Sequence, residues 1–203
     1  MLYTSDKVAV LIDGHALTSL GYGLGMKIDY RKLKAQFARS SKLTSIKYYA
    51  TVDPDKGDNP YIKLLDWLDY NGYRIHRKEA RSFEDDDGGR HVKGSVVVDL
   101  SIDLLLMARH VDHIVLVGAH GDYSYPILQA QRLGARVTLL SSLKADGMRP
   151  ADELRRIADE FIDLDDLRVP RPVVDPVAGQ GGEGVQPRAE RQHDIGLRDQ
   201  LHR

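Results

Sequence analysis

Two rhythms of apolar and polar residues alternate along this chain. Short, nearly unbroken apolar runs are separated by segments whose apolar residues return every three to four positions, which is the βαβ signature. Lys7 to Ile12 is the first run and predicts a strand. Thr44 to Val52, rich in β-branched and aromatic residues, predicts the second. His113–Val117 and Arg136–Leu140 predict core strands, and Tyr73–Phe83 is a further strand candidate. Between them, Asp29 to Phe37 predicts a helix with Asp29 near its N-cap and Leu33 and Phe37 on one face. Pro60 opens a second helix that Gly72 ends. Ser95 to Val111 is the longest apolar helix candidate; its start, Val96-Val97-Val98, is locally strand-like, but Leu100, Leu104, Leu105 and Met107 argue for helix. Pro126–Leu133 and Pro150–Phe161 predict two more helices, the latter with Leu154, Ile157 and Phe161 aligned. Ile162-Asp163-Leu164 predicts a short edge strand, and Glu84 to Gly89 a turn or hairpin tip.

After Arg168 the pattern stops. Residues 169–203 are rich in Pro, Gly, Gln, Arg and Glu, which predicts a disordered tail behind a domain spanning residues 1–168. The stretch Asp194 to Leu201 is a weak candidate for a partner-binding helix, so a protein partner recruited through the tail is one expectation.

Composition narrows the class. The 203 residues are 42% apolar, enough for one core, and carry a net charge of −1, so nucleic-acid binding needs a local basic patch. There are no cysteines, which excludes disulfides and cysteine-based zinc sites. No stretch approaches a membrane span and no apolar signal core precedes the first strand, so a soluble, cytoplasmic protein is expected. Oligomeric state, including homo-oligomerisation, is left open.

Candidate chemistry gathers at strand ends. The first run stops at Asp13-Gly14, and His113–Val117 leads to Gly118-Ala119-His120-Gly121-Asp122. Ligands of open α/β sheets bind just beyond the carboxyl ends of the strands. Carboxylates there suit a divalent cation or phosphate chemistry, although Asp also caps helices and turns. Asp99 and Asp103 lie four apart in the long apolar helix and share a face. Buried unpaired carboxylates are costly. That face is therefore a solvent stripe, salt-bridged to a residue such as Arg109 or Lys93, or turned toward Asp13 and Asp122. In the last arrangement hard oxygen ligands would hold Mg²⁺ or Mn²⁺, which activates water against a phosphodiester. Lys93 and the helix start could receive a phosphate, with Arg90 beside it and Arg74, Arg77 and Lys78 extending a basic rim; a solvated surface is the plain alternative. Gly21-Tyr22-Gly23-Leu24-Gly25 lacks the dinucleotide spacing and reads, within Gly14–Lys27, as a glycine-rich loop.

Taken in order, these pieces resemble the NYN family of PIN-like domains, in its LabA-like branch. Ile12-Asp13-Gly14 resembles the family's opening I-D-G, and Lys47-Tyr48-Tyr49 its second strand. Asp66-Trp67-Leu68 to Gly72-Tyr73 resembles its helix end. Val92-Lys93-Gly94-Ser95 resembles the element before its acidic helix, and His120-Gly121-Asp122-Tyr123 its S-G-D-x-D turn. Ala151 to Arg156, then Asp159 to Ile162, resemble its closing helix and strand. The resemblance implies a three-layer α/β/α sandwich with a central, mainly parallel sheet. It also implies metal-dependent cleavage of RNA, with Mg²⁺ or Mn²⁺ held by Asp13, Asp99, Asp103 and Asp122. His120 would then serve as ligand or proton carrier, and Arg90, Lys93, Arg77 and Lys78 would contact RNA.

Three departures fall on that site. Ala16 stands in place of the family's Asn, and Val97 and His120 in place of two Asp residues. Together the last two remove two negative charges. Asp99 does not simply replace an Asp at 97, because two positions on a helix differ by about 200°. Two readings follow: a ribonuclease with a partly substituted site, or a degenerate relative that binds RNA or a protein without cutting.

Overall fold

The computed structural model describes residues 3–57, 59–84 and 90–167, and of these only the backbone at 56, 82–84 and 90–93. The proposed tail, residues 169–203, the candidate segment 194–201 within it, and most of the expected hairpin tip lie outside the described residues. The chain runs β1 (Lys7–Asp13), α1 (Gly14–Gly23), α2 (Tyr30–Ser40), β2 (Lys42–Val52), α3 (Pro60–Tyr70), β3 (Arg74–Glu79), β4 (Arg81–Glu84), β5 (Arg90–Lys93), α4 (Val97–Met107), β6 (His113–Val117), α5 (Ser124–Arg132), β7 (Arg136–Ser141), α6 (Asp152–Ile157) and β8 (Glu160–Asp163).

Six strands form one sheet in the order β3-β2-β1-β6-β7-β8, and every neighbouring pair is parallel. Residues Val8 to Ile12 and Ile114 to Val117 are fully buried, as strands covered on both faces require. One face carries a core in which Val10, Ile12 and Tyr48 of β1 and β2 meet Leu17 and Leu20 of α1, Phe37 of α2, and Leu65 and Leu68 of α3. On the other, Leu11 of β1 and Tyr49 of β2 meet Leu100 and Leu104 of α4, Tyr123 on the turn before α5, Ile127 of α5 and Leu154 of α6. The α/β/α sandwich expected from the sequence is therefore the fold. Strand order reverses between β1 and β6, the switch point where such sheets open a crevice.

Local signals behave as read at α2, where the Asp29 side chain accepts from the Lys32 N–H. They do so again at α3, opened by Asn59 and Pro60. Gly72 takes a φ of +78° there, and the Tyr73 N–H closes back on the Leu68 carbonyl.

Three expectations are corrected. The glycine-rich loop 14–27 contains helix α1, because Asp13 caps it and Ala16, Leu17 and Leu20 give it a buried face. Gly14 is needed for that entry: a Cβ would lie 2.5 Å from the Tyr48 ring and 2.7 Å from the Tyr49 carbonyl oxygen. The strand expected over 73–83 is two strands. The buried Ala80 donates its N–H to the Val52 carbonyl and ends the ladder with β2, and β4 then pairs antiparallel with β5 in a separate ribbon. The helix expected to reach Phe161 stops at Ile157. The Asp159 carboxylate accepts from the Val137 N–H at 2.7 Å and turns the chain into β8, which carries Phe161.

Candidate functional site

Parallel register sets out the site. Asp13 pairs with Tyr49 and Tyr49 with His76, so these three residues form a row across β1, β2 and β3. Leu11, Lys47 and Arg74 form the row before it, and Thr51 and Lys78 the row beyond on β2 and β3. Side chains of one parallel row share a face. Leu11 and Tyr49 pack in the α4 core, so this is the α4 face of the sheet.

Asp13 is 7% exposed, and both of its carboxylate oxygens are occupied. Oδ1 accepts the backbone N–H groups of His15 and Ala16 at 3.1 and 3.2 Å, capping α1. Oδ2 accepts the Tyr123 hydroxyl at 2.8 Å. Burial, reinforced by the Asp13 charge, pushes the Tyr123 phenol well above its ordinary range, so it remains a protonated donor. The capping role weighed for Asp13 from the sequence is thus real, and a second internal donor accompanies it.

Asp99 and Asp103 do share a face of α4, and it leans over β2 and β3. Asp103 accepts the Tyr49 hydroxyl at 2.6 Å and the Lys47 ammonium at 2.9 Å. Burial works to raise this carboxyl; the hydrogen bonds from Tyr49 and Lys47 outweigh it and hold the group below the usual carboxylate range. Asp99 accepts the Lys78 ammonium at 2.5 Å, with the His76 ring nitrogen 3.6 Å from its other oxygen. The Lys78 hydrogen bond lowers the Asp99 carboxyl against a smaller opposing effect of burial. Among the described side chains, the cations that neutralise this face are therefore Lys47 and Lys78 rather than Arg109.

His120 and Asp122 stand apart from this cluster on the turn before α5. Their side chains are 58% and 75% exposed, with 3.5 Å between His120 Nδ1 and Asp122 Oδ2. The His120 ring meets Tyr123 edge-on, and its Nδ1 accepts the Asp122 N–H at 3.3 Å. Asp122 precedes Tyr123, which reaches Asp13, but its own side chain lies in solvent.

The basic rim divides in the same way. Lys78 is committed to Asp99, whereas Arg77 points to the α3 side and pairs with Asp66 at 2.6 Å. Arg90 and Lys93 lie on β5, and their side chains lie outside the described residues. Lys47, Tyr49 and Tyr123 fall within segments that resemble the family, yet none is among the site residues expected from the sequence, and His76 lies in no such segment; all four belong to this cluster of contacts. The alternation along β2 places Lys47 and Tyr49 on one face, but only the register with β1 places them beside Asp13.

A divalent-ion centre needs carboxylate oxygens turned to a common point. Among the described residues, no three of His, Cys, Asp and Glu converge in that way. Asp13 spends both oxygens on internal donors, and Asp99 and Asp103 each hold a lysine. With Val97 and His120 in place of two acids, the donor set present does not fit a carboxylate-held ion pair.

The NYN domain family matches residues 7–165, nearly the whole described chain. The low amplitude and bright protein LabA of Synechococcus elongatus is 28% identical over 171 residues, covering 83% of this chain and 89% of the relative. A Vibrio parahaemolyticus protein of unknown function shares the fold with a TM-score of 0.65 at 23% identity. That match covers 80% of this chain and 95% of the other.

Proposed function

Because this chain belongs to the NYN domain family of PIN-like nucleases, we propose that it is a non-cleaving member that binds single-stranded RNA at the carboxyl edge of its sheet. One observation carries this reading. The carboxylates at the family's site positions that remain on β1 and α4 are engaged by the chain's own donors: Tyr123 and the α1 N–H groups on Asp13, Lys78 on Asp99, and Lys47 with Tyr49 on Asp103. A divalent ion entering there would have to break hydrogen bonds to buried or half-buried charged groups, each worth about 1.5–3 kcal/mol.

Support for RNA as ligand comes from the family and from edge strand β3. Arg74 and Arg77 are exposed on opposite faces of that strand. A phosphate on the α4 face of this edge would meet the Arg74 guanidinium, which binds it with paired hydrogen bonds, whereas Arg77 is already paired with Asp66. No described helix is long and apolar enough to cross a membrane. The chain's lack of cysteine accords with work in the reducing cytoplasm.

The test is anisotropy of a labelled mixed-sequence RNA, run in EDTA and in Mn²⁺, beside a cleavage gel of the same samples. The expected result is equal binding in both, a salt dependence near −0.7 per phosphate contact, and intact RNA. Products that need Mn²⁺ and vanish in Asp13→Asn would overturn the reading and restore the metal-dependent ribonuclease. Absence of RNA binding would leave a protein-interaction module.

A further inference from the structure

Helix α4 is apolar on more sides than its own core uses. Leu100 and Leu104 are fully buried, yet Val98, Ile102 and Leu106 are 64%, 53% and 55% exposed. Spaced by four, these three form one outward stripe along the helix. Six of the nine large apolar side chains exposed among the described residues sit on α4, on α5 or directly after it: these three with Tyr125, Leu128 and Leu133. The polar residues Asp99 and Asp103 take the face over β2 and β3, so this apolar stripe lies on a side of α4 that neither the core nor the lysine pairs occupy. Clustered exposed apolar surface marks an interaction site.

Charge indicates what covers the stripe. α4 enters β6 and α5 leaves it, so both helices run against the strands and parallel to each other. At their N-terminal end Asp122 projects into solvent, 75% exposed. At the opposite end Arg109 follows α4, and Arg132 ends α5; both are exposed. A face acidic at one end and basic at the other is complementary to itself when turned end for end about a two-fold axis. A parallel arrangement would instead set like charges together. The same turn makes the helix dipoles antiparallel.

We propose that a second copy of this chain docks on α4, the two α4 helices lying antiparallel about a two-fold axis near Ile102. Ile102 then meets its own counterpart, and Val98 lies opposite the partner subunit's Leu106. The contact leaves Lys47, Lys78, Asp99 and Asp103 facing β2 and β3, away from the axis. It is independent of whether the chain binds or cleaves RNA.

The chain has no cysteine, which makes the test direct. Light scattering of the full chain, at concentrations on the order of 10 μM, exceeds the about 1 μM Kd of a modest interface. It should give twice the 22.8 kDa chain mass. Ile102→Asp should return the single-chain mass with little change in melting temperature, because the residue is half exposed. Under mild oxidation Ile102→Cys should form a covalent dimer. Tyr70→Cys, at a 92% exposed position on α3 across the sheet, should not. A monomeric wild type, a dimer indifferent to Ile102→Asp, or equal cross-linking through both cysteines would overturn the proposal. Capture of a different protein by the stripe of a monomeric chain would do the same.

Discussion

Replacing Tyr123 by Phe removes one oxygen from the centre of the site and keeps the ring. Tyr123 is fully buried, and its hydroxyl reaches Asp13 Oδ2 at 2.8 Å. The remaining partners of Asp13, the His15 and Ala16 N–H groups, both lie on Oδ1. The variant therefore strips Oδ2 of its donor inside a pocket that admits little water. A hydrogen bond to a charged group contributes about 1.5–3 kcal/mol, and ring packing should be unchanged. For a domain of this size each kcal/mol moves the melting temperature by about 2–4 °C, so a fall of about 3–12 °C is expected. Thermal and urea unfolding of wild type, Tyr123→Phe and Tyr125→Phe would measure it. Tyr125 is 70% exposed and should respond within about 0.5 kcal/mol. A Tyr123→Phe loss no larger than that of Tyr125→Phe would refute the engaged state of Asp13. It would leave Oδ2 open to a cation, and the non-cleaving reading would lose its main support.

Two further outcomes test the charged groups. Asp99 is held below its ordinary range first by Lys78, so its contribution is present above the unfolded carboxylate pKa of about 3.9 and is lost as pH falls through the lower folded value. Lys78→Met should therefore reduce stability at neutral pH and flatten the acid limb below about pH 4; an unchanged limb would mean that the pair is not formed. His113, 1% exposed at the start of β6, is pushed down by burial and then by the Arg136 charge, with Nε2 2.6 Å from the Thr138 hydroxyl. The folded state then binds its proton less readily than the unfolded chain. Stability should decline as pH drops below about 6.5 toward the folded value, and His113→Asn should remove that decline. A decline that persists in the variant would assign it to other groups.

How much was legible beforehand divides along physical lines. Strands β1, β2, β6 and β7, helices α2 to α5 and the family itself follow from signals contained within a few residues: apolar runs, helical spacing, Asp29 as a cap, Pro60 as a helix start, Gly72 as a stop. Asp13 was legible as a strand-end acid for the same reason. The end of α6 was not, because Asp159 turns the chain by accepting from Val137, which is 22 residues away. Helix α1 was hidden by its glycines, whose packing against Tyr48 and Asp146 has no local trace.

The character of the site was settled by contacts across the fold. Tyr123 lies 110 residues from Asp13, and Tyr49 and Lys47 lie 54 and 56 residues from Asp103. Local pattern places each acid on a strand end or a helix face. It does not state which strand lies next to which, in what register, or how far a helix is rotated above its sheet. Those are set by the packing of two cores on one parallel sheet, and they decide whether a carboxylate meets a metal ion or a lysine. The sequence determined that acids would stand at the carboxyl edge of this sheet; tertiary structure determined that the chain supplies their counter-charges and donors itself.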